Sequence, residues 1–249
     1  CHVREWAIVM RDKELAAAIG FVFIEEVEEQ FRDDLSEIFA NALPRLNQVS
    51  RPEGLILVEG QTEVGLLPAT SLKRGLPLIQ KGIKVFDCEG KQHMPKLFKK
   101  FKKEFPKIPI VCLLDEDAQE EWQEIERMVR GAKNKYAVVR LNRGTIEDVL
   151  PLHRAVQALN KLYPAEQVDE IRESDFDERL GFVENAKQVL WRRRQTSFDQ
   201  KSRFGFLVGL CLEKGEIPPE VEEVIDSALL LVDASHPMRL SRGRSCRAT

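Results

Sequence analysis

Four short apolar runs, separated by segments with helical periodicity, constrain the fold of this chain more than any other feature. The runs are LILVE (55–59), IKVFD (83–87), IPIVCLLD (108–115) and YAVVRL (136–141). The helical segments between them lie at 61–74, 94–104 and 118–130. Alternating strands and helices with short connections are typical of a parallel sheet with helices on both faces. The sequence therefore predicts an α/β fold, with a Rossmann-like parallel sheet flanked by helices.

Strand-type runs stop after Pro151, and the following residues show only helical periodicity. Helices are predicted at 153–163, 176–194 and 200–213, and a last one begins at Pro218-Pro219. We therefore expect a sheet domain at 55–151 followed by an all-helical domain at 152–235. Residues 1–54 are predicted to form an N-terminal helical segment and linker, with a strand-type run at 3–10 and a helix at 25–43. The basic tail at 236–249 has no periodicity, and we expect it to be disordered.

The composition argues against several classes of protein, including membrane, secreted and zinc-binding ones. The 249 residues are 43% hydrophobic and 32% charged, with a formal net charge of −3, which is ordinary for a soluble protein. No apolar run approaches the roughly 20 residues of a membrane helix, and no secretory signal is visible. The five cysteines are odd in number and widely spaced without C-x-x-C, which favours free thiols in a reducing cytosol over a zinc site. We expect a cytoplasmic protein without membrane contact, and a chain beginning with Cys1 is expected to be a fragment of a longer one.

Acidic residues follow two of the predicted strands. Glu59 ends the first run and Glu63 lies in the next helical turn, while Asp115 and Asp117 end the third run. The carboxyl ends of parallel strands meet at one edge of a sheet, where ligands bind. Carboxylates held so close repel one another unless a cation compensates them, and hard cations such as Mg²⁺ prefer oxygen ligands. Each Asp alone is explained as a helix cap, but the convergence of four acids favours a metal site.

A further acidic pair, Glu147-Asp148, follows the fourth strand. Thr145 is a plausible N-cap, so the pair taken alone is explained by helix capping. In the context of the other acids, Glu147 is a candidate for a further metal ligand.

Together these motifs resemble the Toprim domain, which topoisomerases, bacterial primases, the RecR recombination mediator, ribosomal-RNA maturases and overcoming-lysogenisation-defect (OLD) nucleases share. The chain is most similar to the OLD pattern. The matching residues are V-E-G-Q-T-E at Val58–Glu63, Gly90-Lys91, D-E-D at Asp115–Asp117 and Glu147-Asp148. Topoisomerases and primases often carry a third acid where this chain has Gln119, so the nuclease branch fits better. The resemblance covers roughly residues 55–150.

The resemblance implies a metal-dependent DNA endonuclease that hydrolyses phosphodiester bonds with two divalent ions, Mg²⁺ or alternatively Mn²⁺ or Ca²⁺. The implied metal ligands are Glu59, Glu63, Asp115, Asp117 and Glu147. The implied catalytic residues are Glu59, Asp115, Asp117 and the basic residue Lys201. Arg203 is the second choice for that basic role, and the alternative for Lys201 is a solvated surface lysine. Asp87 or Glu89 is a looser match for an additional contact.

OLD proteins join an ABC-type ATPase to a C-terminal Toprim nuclease. This chain has no G-x-x-x-x-G-K-[ST] loop, so the resemblance implies the nuclease part, with an N-terminal ATPase and a possible homodimer in the full-length protein. It also implies a role in DNA repair or phage defence. Two alternatives stay open: an RNA-processing Toprim nuclease with the same acids, and a non-cleaving Toprim module for repair or assembly. RecR-type modules usually carry a cysteine cluster, which this chain lacks.

Basic residues suggest where DNA would lie. The candidates are Lys91, Lys96, Lys99, Lys100, Lys103 and Arg203; Lys102 lies in the same helical run, and Arg192–Arg194 end another predicted helix. A charge run of this kind is more often a solvated helix face. A duplex would reward these clusters with salt-sensitive binding, and nothing indicates base readout.

Overall fold

A computed structural model of the protein describes residues 52–164 and 170–235. The strand expected at 3–10, the helix expected at 25–43 and the expected disorder of the tail lie outside the described residues. None of the helices within the described ranges is both long and apolar enough to cross a membrane.

The described strands form one parallel sheet. They are β1 (Gly54–Val58), β2 (Ile83–Asp87), β3 (Ile110–Leu114) and β4 (Tyr136–Arg140), in the spatial order β2-β1-β3-β4. Every residue of the central strands β1 and β3 is buried, because helices cover both faces of the sheet. The side chains on both faces of these strands are therefore apolar. The prediction of a helix-flanked parallel sheet is confirmed.

The described residues also form eight α-helices, some of which cover the two faces of the sheet while others pack on those helices. They are α1 (Gln61–Lys73), α2 (Met94–Glu104), α3 (Gln119–Val129), α4 (Ile146–Val149), α5 (Leu152–Leu162), α6 (Phe182–Arg194), α7 (Lys201–Cys211) and α8 (Pro219–Ser235). Short 3₁₀ helices lie at Leu78–Lys81, Lys91–His93 and Glu173–Asp175. Phe98 of α2 and Ile125 of α3 pack with Leu57 on one face, and α1 and α8 pack on the other.

The helices after Pro151 share a core with the sheet. The larger apolar cluster joins Ile56 and Leu113 of the sheet to Leu159 of α5, Val189 of α6 and Ile225 of α8. Residues on both sides of the predicted boundary between 55–151 and 152–235 are thus buried in the same cluster. The division into two domains remains a prediction.

Glycines bring α7 against α1. A Cβ atom at Gly205 would lie 2.0 Å from the carbonyl oxygen of Thr62, and one at Gly65 would lie 1.9 Å from that of Ser202. Neither position has room for a side chain, so the two backbones touch. This contact places the beginning of α7, where Lys201 lies, beside the beginning of α1, where Glu63 lies.

The helix predicted at 176–194 begins six residues later, at Phe182. The side-chain oxygen of Asn185 accepts a hydrogen bond from the N–H of Asp177 at 2.7 Å, and its amide donates to the carbonyl of Leu180 at 3.0 Å. These bonds replace helical ones, so 176–181 forms a loop. Phe176 keeps its apolar role by stacking on Phe182.

Candidate metal centre

Acidic side chains collect at the carboxyl edge of the sheet. Glu59 follows β1, Asp115 follows β3, Glu63 lies in the first turn of α1 and Glu147 lies in α4 after β4. Because β1, β3 and β4 are adjacent, these elements end side by side. The N–H of Asp115 donates to Glu59 Oε1 at 2.7 Å, which joins the ends of the two central strands.

Two of these carboxylates are almost completely buried. Glu63 is 3% exposed and Glu147 is 4% exposed. Glu147 Oε1 accepts hydrogen bonds from Thr62 Oγ1 at 2.7 Å and from Lys201 Nζ at 3.1 Å. A buried carboxylate is costly unless it is paired, and here one hydroxyl and one ammonium group satisfy it. Lys201 is thus not a solvated surface lysine, because it contacts an acid of the cluster.

The pKa values of the cluster are raised by burial first and by the neighbouring negative charges second. Burial, followed by the charges of Glu59 and Glu147, raises the pKa of Asp115 to about 8. Burial and then the charge of Glu147 raise the pKa of Glu63 well above its usual range. Burial also raises the pKa of Glu59, although the N–H of Asp115 opposes the shift. A divalent cation would relieve this repulsion, and an all-carboxylate donor set suits a hard cation.

The carboxylate oxygens are suitable ligands for a hard cation, but they are not arranged in a preformed coordination shell. Within residues 52–164 and 170–235, no three His, Cys, Asp or Glu side chains form a preformed metal site. Their oxygens would have to move closer together to bind an ion.

Asp117 lies at the margin of the cluster. Its side chain is 76% exposed and pairs with Lys91 Nζ at 2.5 Å, and the same ammonium group donates to the Asp117 carbonyl at 3.2 Å. Lys91, a predicted DNA-binding residue, therefore holds the D-x-D loop in this structure. Asp87 is also engaged, since it accepts hydrogen bonds from Gln61 and from the N–H of Glu89.

Glu116, the middle residue of the D-x-D motif, has a role that the sequence analysis missed. Its Oε2 accepts a hydrogen bond from the N–H of Gly144 at 2.7 Å, and its own N–H donates to the Gly144 carbonyl at 3.0 Å. These two bonds tie the loop after β3 to the loop that carries Glu147. Gln119, where topoisomerases and primases often carry a third acid, accepts a hydrogen bond from Arg140. The one signal in the sequence for this role of Glu116 was a charged residue between the two aspartates of the motif.

Asp148 serves the fold. Its Oδ2 accepts hydrogen bonds from the N–H and the hydroxyl of Thr145 at 2.9 and 3.0 Å, and its Oδ1 accepts one from the N–H of Phe182 at 2.7 Å. Although burial opposes the shift, these bonds lower the pKa of Asp148. The capping explanation thus applies to Asp148, whereas Glu147 faces the acidic cluster.

The predicted basic residues fall into two groups. Lys96, Lys99, Lys100 and Lys103 of α2 are exposed and form no ion pair with any residue in the described part of the chain. The others contact protein groups. Lys102 donates to the Met128 carbonyl, Arg203 to Gln200 Oε1 at 2.7 Å, Arg192 to the Gln188 carbonyl, Arg193 to Asp175 and Arg194 to the Tyr163 carbonyl.

Comparison with known proteins identifies the first part of the sheet region, through strand β3. Residues 53–117 match a family model described as the Toprim domain of overcoming-lysogenization-defect-like proteins. No curated protein sequence matches the chain significantly. The structure is similar to the C-terminal region of the Xanthomonas campestris pv. campestris OLD protein, with a TM-score of 0.56 and 19% identity over 76% of this chain and 97% of that one. A second structure of that region gives 0.55 and 19%, over 76% and 100%.

At this level of identity, the structural likeness establishes the fold alone. The sequence match contains Glu59, Glu63, Asp115 and Asp117, whereas Glu147 and Lys201 lie beyond it. The chain thus carries an OLD-like Toprim domain at residues 53–117, within the fold seen in the C-terminal region of an OLD protein.

Proposed function

We propose that this chain is a divalent-metal-dependent DNA endonuclease, the C-terminal nuclease part of an OLD-type protein with an N-terminal ABC-type ATPase. The observation that carries the proposal is the convergence of Glu59, Glu63, Asp115 and Glu147 at the carboxyl edge of the sheet. Toprim domains generally bind divalent metal ions, and this edge concentrates the negative charge that such ions neutralise.

Five residues would hold the metal: Glu59, Glu63, Asp115, Asp117 and Glu147. Two bound Mg²⁺ or Mn²⁺ ions would supply an activated water and stabilise the leaving oxygen of a phosphodiester. Contacts within the chain orient several of these ligands. Thr62 and Lys201 orient Glu147, the N–H of Asp115 orients Glu59, and Lys91 restrains Asp117.

Lys201 is the proposed cationic residue of the centre. Its ammonium group lies 3.1 Å from Glu147 Oε1, and its side chain is 37% exposed, so a phosphate arriving from solvent could reach it. A positive charge at that position would offset negative charge that develops on the phosphate during cleavage.

The exposed lysines of α2 supply a second element of the proposal. They form no ion pair within the described ranges, so their charge is available to a polyanion. Contacts of this kind neutralise phosphates without reading bases, so binding would be salt-sensitive and weakly sequence-specific.

The test compares substrates and metals in parallel. Purified protein is incubated with supercoiled plasmid DNA or structured RNA, each with Mg²⁺, Mn²⁺ or EDTA. We expect nicked plasmid with either metal and none in EDTA. Cleavage of RNA alone would point to an RNA-processing nuclease. Metal-dependent binding of DNA without cleavage would point to a non-cleaving module, and cleavage that survives EDTA would contradict the proposed centre.

A further inference from the structure

Three aromatic side chains pack against one another beside an outer strand of the sheet, and Phe86 is the exposed member. Phe86 is the penultimate residue of β2 and is 39% exposed. Its ring packs edge to face on Phe101 of α2 with centroids 5.1 Å apart, and Phe101 lies 6.1 Å from Phe105. We call Phe86, Phe101 and Phe105 the aromatic strip.

The position of Phe86 in β2 explains its exposure. β2 is an outer strand, and within residues 52–164 and 170–235 no strand pairs with its free side. Phe86 is opposite Leu57 of β1, whose side chain belongs to the core beneath α2 and α3. Phe86 therefore lies on the same face of the sheet as α2 but beyond the margin of that core, where solvent reaches its ring.

The aromatic strip adjoins the acidic centre. Asp87 follows Phe86 directly and accepts a hydrogen bond from Gln61, which stands between Glu59 and Glu63 in sequence. The N–H of Gly90, just after β2, donates to the Glu59 carbonyl at 2.8 Å. A chain-like ligand lying on Phe86 would thus lie next to the end of β2, which is hydrogen-bonded to the end of β1 that carries Glu59.

The charge around the aromatic strip favours a polyanion. Lys84 precedes Phe86 by two residues and so shares its side of β2. Lys100 precedes Phe101 on α2, and α2 as a whole carries five lysines and one glutamate. Neither Lys84 nor Lys100 forms an ion pair with any residue that the structure describes. An exposed ring with two such lysines close to it in the strand and to its packing partner in the helix suits an anionic chain with flat apolar groups better than an apolar protein surface.

We propose that the aromatic strip binds unpaired nucleotides of DNA, with Phe86 stacking on a base while Lys84 and Lys100 contact the backbone. Proteins that bind single strands combine aromatic platforms with a positively charged track in this way. A duplex hides the faces of its bases, so the aromatic strip selects single-stranded, gapped or frayed DNA. The inference rests on the proposed function, because it names the form of DNA that the acidic centre would receive.

The test measures binding without cleavage. In EDTA, the full chain is titrated into fluorescein-labelled oligothymidine and into a blunt duplex of equal length. Phe86→Ala should weaken oligothymidine binding about 5- to 100-fold, in line with the loss of one stacked base, and should change duplex binding less than about twofold. Leu76→Ala is the matched control, since Leu76 is 42% exposed and lies outside the aromatic strip. It should change neither affinity.

A second variant reports stacking directly. Phe86→Trp should keep the wild-type affinity for oligothymidine, and saturation should quench its tryptophan fluorescence more than that of the wild type. Unchanged affinity in Phe86→Ala, absent quenching in Phe86→Trp, or no binding of oligothymidine by the wild type would overturn the proposal. The proposal would also be overturned if Phe86→Ala lost self-association on sedimentation while its DNA affinity stayed unaltered. That result would make the aromatic strip a protein interface.

The outcome is separable from that of the nuclease proposal. A wild-type protein that binds oligothymidine through Phe86 but never nicks DNA would refute cleavage and retain the aromatic strip. If the wild-type protein nicks DNA but Phe86→Ala binds oligothymidine normally, cleavage is retained and the proposal for the aromatic strip is refuted.

Discussion

At the scale of single residues, the cluster places Asp115 among negative charges. Its pKa of about 8 reflects burial first and then the charges of Glu59 and Glu147, while the N–H of Ile146 opposes the shift. A carboxyl group whose folded-state pKa lies above its unfolded value stabilises the fold only while it is protonated. The stability of the metal-free protein should therefore fall as pH rises from about 4 to about 8.

Asp115→Asn should remove the part of that dependence that comes from Asp115, while the raised pKa values of Glu59 and Glu63 maintain the rest. In EDTA near pH 8, the variant should be more stable than the wild type by about 1 kcal/mol or more, or about 2–4 °C in the unfolding midpoint. The difference should vanish toward about pH 3, where the wild-type carboxyl is protonated in both states. Thermal unfolding across this range is the measurement. A variant that is less stable than the wild type at every pH would show that the Asp115 carboxylate is attractively paired.

Substitutions of Lys201 distinguish a role in stabilising the charge of the transition state from a role in supporting the fold. Lys201→Ala should lower the single-turnover cleavage rate by roughly 10²–10³ while changing DNA affinity much less. Lys201→Arg keeps the charge with a different geometry and should restore the rate only in part.

Removal of Lys201 also leaves the buried Glu147 without its cation, so stability needs a separate control. Adding Glu147→Gln to Lys201→Ala should recover thermal stability but not the rate. Lys187→Ala, at an exposed position on α6, should change neither. Wild-type turnover in Lys201→Ala would remove Lys201 from the centre.

At the scale of elements, the decisive contact is that of α7 with α1. Neither helix carries the whole centre: α1 supplies Thr62 and Glu63, and α7 supplies Lys201. The backbone contact at Gly65 and Gly205 sets their separation, so the Lys201–Glu147 and Thr62–Glu147 hydrogen bonds depend on glycines that touch no acid.

Gly205→Ala should therefore destabilise the protein by about 1–3 kcal/mol or more, since the added methyl group meets backbone that cannot yield cheaply. It should lower the cleavage rate as well, by moving Lys201 away from Glu147. Gly60→Ala is the control for stability, because its Cβ would meet nothing closer than 3.7 Å and its φ is −152°. Urea unfolding of both variants is the measurement, and equal stabilities would contradict the packing argument.

At the scale of the whole molecule, the sheet was predictable and much of the centre was not. Apolar runs bounded by turns located all four strands, and the strand-end rule anticipated that Glu59 and Asp115 would meet. The burial of Glu147, its bonds to Thr62 and Lys201, and the tie from Glu116 to Gly144 depend on how α7 and the β4 loop pack. Those contacts join residues 28 to 85 positions apart, and no local pattern encodes them.

The distribution of charge over the molecule gives a further prediction. Changing Lys99, Lys100 and Lys103 to Glu together should weaken duplex binding and flatten the slope of log affinity against log salt by up to about 3, at about one unit per lost phosphate contact. Changing the exposed Lys187 and Lys214 to Glu, away from α2, reproduces four of the six units of added negative charge and should leave the slope nearly unaltered. An unchanged slope in the triple variant would make the α2 lysines a merely solvated face.

The central claim is that the acids at the carboxyl edge of the sheet cut DNA with a bound divalent metal. Its most direct test is single-turnover nicking of supercoiled plasmid in Mn²⁺ by the wild type, by Asp115→Asn and by Glu124→Gln. The last variant removes an exposed carboxylate of α3 outside the cluster. The account predicts metal-dependent nicking by the wild type and by Glu124→Gln, and none by a folded Asp115→Asn protein. Nicking by Asp115→Asn at the wild-type rate would contradict it.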